Sequence, residues 1–301
     1  MIERKGMTMS DQDNHIAQIS TPLARILAIC LMIALILFAA IWASNSPPSA
    51  SFNTNAFLLA LAIGITAQLV DGALGMAYGL TSNSLLLAAG FSPAAATATV
   101  HVAEGFTTAA SGLSHWRLGN IDKRIFGRIV IPGVIGGVIG VFVITSIDGK
   151  IIRPFISAYL LAMGLYIIYR AFRAIKGPTL VVGNKLIPVA FVGGFADSVG
   201  GGGWGPVVTT TLIGSGHEPK TTIGSVNAAE FFVTIASGFS FALLIGIQHV
   251  ESVAGLIIGG VIMAPFAARL TRSFKREVMM VLVGLLISGL SIWTILRSFG
   301  F

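Results

Sequence analysis

The chain is poor in charge and almost without cysteine. Asp, Glu, Lys and Arg make up 10% of its 301 residues, against about 25% in soluble domains. With apolar residues at 54% and a mean hydropathy of +0.87, that scarcity excludes a soluble enzyme and a disordered chain. The single cysteine, Cys30, excludes an intramolecular disulfide and a cysteine-cluster metal site. Walker A, HExxH and GxSxG patterns are missing, and the glycine runs lack the βαβ context of a nucleotide fold. The HEPK at 217–220 lacks the second histidine of a zincin. The net charge of +7 does not make a nucleic-acid binder, because in membrane proteins such an excess reflects Lys and Arg in cytoplasmic loops. Nothing in these residues calls for a cofactor, a metal or a nucleic-acid partner.

What the chain has is long apolar runs and 36 glycines. A spanning helix needs about 20 apolar residues. The first candidate, 22–44, reads as an uncleaved helix rather than a signal peptide, since its apolar run is long and has no clean cleavage site. An uncharged polar linker follows it. Later candidates are 56–70, 73–90, 94–116, 125–146, 151–173, 186–199, 203–216, 220–247, 252–271 and 277–298. As a helix, 56–70 reaches about 22 Å of a core about 30 Å thick, and 186–199 and 203–216 are shorter still. The segment 73–90 is interrupted by Tyr78, Thr81, Ser82, Asn83 and Ser84.

Lys and Arg fix the expected orientation. With the N-terminal tail (1–21) inside, 16 of them fall in the cytoplasm and three outside: Lys150, Arg153 and Arg297. That is a strong positive-inside bias. The same sides result whether each short pair of segments crosses twice or re-enters.

Slid on itself by 126 residues, the chain repeats. DGALGMAYGLTSNSLLLAAGFSPAAATATVHVAEGFTTAASGLS (71–114) meets DSVGGGGWGPVVTTTLIGSGHEPKTTIGSVNAAEFFVTIASGFS (197–240) without a gap. Coincidences include Asp71/Asp197, Gly75/Gly201, Gly79/Gly205, Gly90/Gly216, Pro93/Pro219, Glu104/Glu230 and Thr108/Thr234. Shared composition supplies glycine and alanine matches, but not both acid pairs. Each half, 51–176 and 177–301, then holds five hydrophobic elements. An odd number flips the second copy relative to the first, which is the inverted repeat of secondary transporters with a site where broken helices meet.

Four acids lie inside hydrophobic segments: Asp71, Glu104, Asp197 and Glu230. A charge at the bilayer centre costs about 2.5–3.5 kcal/mol on insertion scales, so these acids are candidates for a proton relay or ion ligands. Asp71 and Asp197 each open a glycine-rich break and equally suit a cap on backbone amides. Thr97, His101, Glu104, Thr108, Ser111 and His115 form one polar stripe at helical spacing, and Asn227, Glu230, Thr234 and Ser237 form its partner. His101 stands one turn before Glu104, within reach of proton exchange, although a packing histidine fits as well. In GGFADSVGGGGWGP (193–206), Pro206 suits a helix's first turn. Gly201, Gly202 and Gly203 let backbone amides approach an oxyanion, as Gly75 does in the first copy. Ser82, Asn83 and Ser84, with the Thr209, Thr210 and Thr211 run as their counterpart, are further donors. Asn227 joins this substrate set. Tyr78 and Trp204 occupy matching positions and read either as walls of the site or as packing.

These paired segments, above all FADSVGGGGWGPVVTTTLIGSGHEP and GSVNAAEFF, resemble the TauE/SafE family of sulfite and organosulfonate exporters, also called toluene-sulfonate uptake permeases. The resemblance covers about 50–301 and leaves the stretch 22–50, a membrane helix and linker, as an addition. Many family members are closer to GTNK where this chain has GSVN (224–227) and ATVH (98–101), so compensation of an anion's charge must come from elsewhere. The resemblance implies proton-linked movement of a small sulfur-containing anion across the inner membrane. The expectation is an all-α polytopic membrane protein: an inverted repeat with glycine-broken helical hairpins, plus an extra N-terminal transmembrane helix. It is not an enzyme; its partners are a small anion (sulfite or a sulfonate), protons and lipid. A cation transporter using the carboxylates, uptake instead of export, and a non-transporting scaffold are the alternatives. The sequence does not specify an oligomer.

Overall fold

The computed structural model describes residues 52–172, 183–270 and 276–300. The expected tail (1–21), the extra helix at 22–44 and the boundary at 176/177 lie outside the described residues. Those residues form helices and no strands. In order they are α1 (Thr54–Leu74), α2 (Tyr78–Ala88), α3 (Pro93–Arg117), α4 (Lys123–Ser146), α5 (Gly149–Ala171) and a 3-10 turn (Gly183–Lys185). Then come α6 (Leu186–Gly200), a π-helical segment (Gly205–Thr209) running into α7 (Thr210–Gly214), α8 (Pro219–Ile245), α9 (Val250–Leu270) and α10 (Arg276–Ser298).

Local chemistry sets the starts. Asn53 accepts the Ala56 amide at 3.0 Å, and Asp122 accepts from Arg124 and Ile125. Ser92 before Pro93, and Glu218 before Pro219, cap α3 and α8 in matching fashion. A side-chain oxygen satisfies amides that the first turn leaves free, and proline gives up an amide not needed there.

Among the described residues, five helices are long and apolar enough to cross a membrane: α1 over Thr54–Gly72, α4, α5, α8, and α10 over Glu277–Ser298. This is a multi-pass membrane protein. The short segment expected at 56–70 is a correction: α1 has 21 residues and reaches about 31 Å. It continues past Asp71, which ends the apolar window but is half-buried in the protein here. The 25-residue α3 is long enough to span, and its polar stripe is turned against α8. By contrast, the 11 residues of α2 cover about 16 Å and cannot cross.

Burial is inverted relative to a soluble protein. Ile131, Ile135, Ile139 and Phe142 line an exposed face of α4, while Thr81, Asn83, Thr97, His101 and Asp197 are buried. Lipid solvates the first set, and the second must find partners inside. Glycines bring backbones into contact. A Cβ on Gly194 would lie 2.1 Å from the Gly133 carbonyl oxygen, and one on Gly259 2.3 Å from that of Leu61. Thus α4 packs on α6 and α1 on α9, as small residues permit in membranes. Helices α3 and α8 pair, as do α5 and α10. The 126-residue shift exchanges the first two pairs and maps each of the others onto itself.

Helix α5 acts as a ruler. Near its start, Arg153 donates to the carbonyls of Gly90 and Phe91, just past α2. Midway, Tyr159 donates to the Gly202 carbonyl at 2.9 Å. Further on, the Tyr166 hydroxyl faces that of Thr210, and at its end Arg170 lies against Gly214, the end of α7. So α2 ends beside the start of α5 and α7 beside its finish. The first hairpin also returns to its own side: the Phe91 and His249 rings meet at a tilt with centroids 4.6 Å apart, and the amide of Asn53, just before α1, donates to neighbouring Glu251.

Candidate functional site

The two breaks meet in the core. Helix α1 stops where Gly75 takes φ 70° and returns its amide to the Asp71 carbonyl; α6 stops where Gly201 takes φ 68° and returns its amide to the Asp197 carbonyl. A left-handed residue here favours glycine. Beyond the stops the backbones touch: a Cβ on Gly79 would lie 2.7 Å from the Gly201 carbonyl oxygen, and one on Gly202 2.2 Å from the Leu80 amide nitrogen. Asn83 Nδ2 donates to the Gly200 carbonyl at 2.6 Å and ties α2 to the opposite break.

The carboxylates occupy the amides of these breaks. Asp197 Oδ1 accepts the Gly203 and Trp204 amides at 2.8 and 3.1 Å. In the first copy the Tyr78 amide faces the Asp71 carboxylate, and the Gly79 amide faces that of Glu104. The structure brings Asp71, Glu104, Asp197 and Glu230 within electrostatic reach of one another. Glu104, His101 and Asp197 are 5%, 0% and 1% exposed, so the centre is closed to solvent. His101 does not pair with Glu104. Its Nε2 lies 3.3 Å from Asp197 Oδ2, and its Nδ1 lies 2.9 Å from the Thr97 carbonyl oxygen.

The remaining candidates divide. Trp204 is committed to packing: Nε1 donates to the Val226 carbonyl at 3.0 Å, and the ring fills the space left by Gly133. Tyr78 anchors α2 to α9 through the Leu256 carbonyl at 3.3 Å, with Ser82 beside its hydroxyl. Thr210 donates to the Pro206 carbonyl. Asn227 donates to Ser111 at 2.9 Å, about 10 Å along α3 from Glu104, so it belongs to the stripe more than to the breaks. Several buried polar atoms have no hydrogen-bond partner: the hydroxyls of Ser84, Thr97 and Thr209, Asn83 Oδ1 and Glu104 Oε2. Among the described residues no three His, Cys, Asp or Glu side chains converge as metal ligands.

Sequence reasoning overlooked Arg153, Tyr159, Tyr166 and Arg170. The available signal was two tyrosines seven residues apart on one face of an apolar helix. It also overlooked the 2.8 Å bond between Ser198 and Ser237. A crevice of about 390 Å³ between α4, α5 and α6 reaches Tyr159 and Gly200 past Ile151 and Phe155. Its walls are otherwise apolar.

Comparison with known proteins identifies the family. The family model described as "Sulfite exporter TauE/SafE" matches residues 59–294. The Bacillus subtilis (strain 168) protein called "Probable membrane transporter protein YtnM" is 43% identical over 231 residues, which cover 74% of this chain and 77% of that relative. No solved structure matches the chain.

Proposed function

We propose that this chain, which belongs to the TauE/SafE sulfite exporter family and is a membrane transporter rather than an enzyme, carries sulfite or a small sulfonate outward in step with protons. The observation that carries this reading is that Asp197 holds the amides of the second break, while Asp71 and Glu104 face those of the first. Amides at a helix start form an anion site, and Asp71, Glu104 and Asp197 sit where a substrate oxyanion would. An ionised acceptor makes the stronger hydrogen bond, so a carboxyl that takes up a proton loosens its hold on these amides. Proton and substrate thus draw on the same donors. The hydroxyls of Ser84, Thr97 and Thr209, which have no partner, turn toward the anion when it arrives.

In this reading the halves 51–176 and 177–301 lie inverted across the inner membrane, with the N-terminus in the cytoplasm. The contacts along α5 support it, because the short helices run from the centre toward opposite ends of one spanning helix. The excess of Lys and Arg on one side supports the orientation. In a Cys30→Ala background, cysteine at Lys150 is expected to react with an impermeant thiol reagent from outside, and cysteine at Leu118 only from inside. The reverse pattern overturns the orientation.

The deciding experiment is flux into proteoliposomes under an imposed pH gradient, with sulfite, sulfate, a small sulfonate and a divalent cation as substrates. Empty liposomes control for passive SO₂ leak. Protein-dependent sulfite or sulfonate flux that follows the gradient is expected. Cation flux without anion flux would make the four acids ligands and overturn the anion reading. Glu104→Gln is expected to lose gradient-driven flux while anion binding stays measurable.

A further inference from the structure

His101 and Asp197 come from different halves and meet at the centre. A carbonyl oxygen only accepts, so the 2.9 Å contact of His101 Nδ1 with the Thr97 carbonyl places a hydrogen on Nδ1. A neutral imidazole then turns the bare lone pair of Nε2 toward Asp197 Oδ2, 3.3 Å away. Two lone pairs at that distance repel. One proton between them turns the contact into an attraction, whichever atom carries it.

We propose that His101 and Asp197 hold one shared proton and together form a proton-sensitive latch between α3 and the α6–α7 break, a refinement that rests on the transport reading above. The other oxygen of Asp197 holds the Gly203 and Trp204 amides. The proton on one side of this carboxyl and the shape of the break on the other are therefore linked through one group. When the proton leaves for water, only an N–H or O–H bond breaks, the pair gains one negative charge, and its attraction is lost. The break is then free to part from α3.

The groups facing the pair make it distinct. Glu104 follows on α3, Tyr159 comes from α5 and Glu230 from α8, all facing Asp197, while Asp71 and Tyr78, from α1 and α2, face Glu104. The titratable residues of α4 and α9 are Lys123, Arg124, Arg128, Glu251 and Arg269, all within two turns of a helix end. His101 is the one imidazole among these acids. At the matching place in the second half stands Asn227, which bonds Ser111, so Asp71 has no such partner there. The proton latch belongs to one half of the repeat.

The test compares wild type, His101→Asn, Asp197→Asn and the double variant in proteoliposomes. Asp197→Asn is chosen to keep the fold: its Oδ1 still accepts the two amides, and its Nδ2 donates to Nε2, a latch that needs no proton. In each single variant the ratio of gradient-driven to equal-pH sulfite flux is expected to fall about tenfold, within the usual range for two coupled sites. The double variant should fall no further, since both changes remove the same proton. Singles with the wild-type ratio, or a double variant whose losses multiply, overturn the proposal. A measurement on wild type alone guards against misfolded variants. In ¹⁵N-histidine NMR, one of the five imidazoles should carry hydrogen on Nδ1 and a strongly deshielded bridging proton at Nε2. If no imidazole shows that pattern, the proposal fails. If wild type moves no anion, the transport reading fails, and the spectrum still decides whether the pair shares a proton.

Discussion

The first break (Asp71 to Gly79) and the second (Asp197 to Gly205) share one backbone and differ in what surrounds it. Both stop with the same left-handed glycine and the same return bond to an aspartate carbonyl. Yet a Cβ on Gly75 would meet nothing closer than 3.8 Å, whereas on Gly201 it would lie 2.2 Å from Asn83 Cγ. Asn83 is bonded to Gly200, while its counterpart in the repeat, Thr209, has no partner for its hydroxyl. The two segments share the bend and differ in their contacts. The second break is gripped at its glycine and the first is not, while buried polar atoms without a partner lie beyond both.

Substitutions can break or sharpen that contrast. The largest effect is expected from the left-handed glycines. Gly201→Ala should destabilise the protein by about 3 kcal/mol or more, through backbone strain plus overpacking. Gly75→Ala should cost about 1 kcal/mol, from strain alone. Thermal unfolding in detergent measures both, and equal shifts would show that the breaks are packed alike. Next comes the tie across the centre. Asn83→Ala should cost about 1–2 kcal/mol, because it leaves the buried Gly200 carbonyl unpaired. Thr209→Val should change stability by less than about 0.5 kcal/mol and still reduce anion flux if that hydroxyl serves the substrate.

The smallest effect is at the helix caps. Glu218 lies outside the spanning segments. The Thr221 amide foremost, then the Thr221 hydroxyl and the Lys220 amide and charge, hold its carboxyl below the usual 4.5. A depressed folded value means stability present above the unfolded value and lost as pH falls through the folded one. The loss therefore sets in below about pH 4.5. Glu218→Gln is expected to flatten that acid limb slightly, whereas Ser92→Ala, at the matching cap, should leave its slope unchanged. An acid titration of unfolding followed by circular dichroism distinguishes the two.

Much of this was legible in the residues. The breaks and the acids inside hydrophobic segments follow from local rules about glycine, proline and charge in an apolar chain. The expectation that Asp197 caps its break describes its Oδ1 as found. Other points were not legible, because they depend on which helices become neighbours. His101 stands one turn from Glu104 in sequence, and helical spacing favoured that pair, but α6 brings Asp197 to its other side. Tyr78 and Trp204 offered two readings until the Leu256 and Val226 carbonyls took their polar atoms. The length of α1 was underestimated because hydropathy cannot tell a polar residue met by protein from one met by lipid.

The sequence alone determined that this chain lives in a membrane, that two of its stretches match at a shift of 126 residues and where its helices break. Those are properties of composition and of short-range backbone preference, and each stretch carries them by itself. Only the tertiary structure decided that the two breaks touch, that carboxylates face the amides of both, and that an imidazole from one half meets an aspartate from the other. The physical reason is distance along the chain. Partners more than ninety residues apart leave no periodic trace, and only packing in three dimensions selects them.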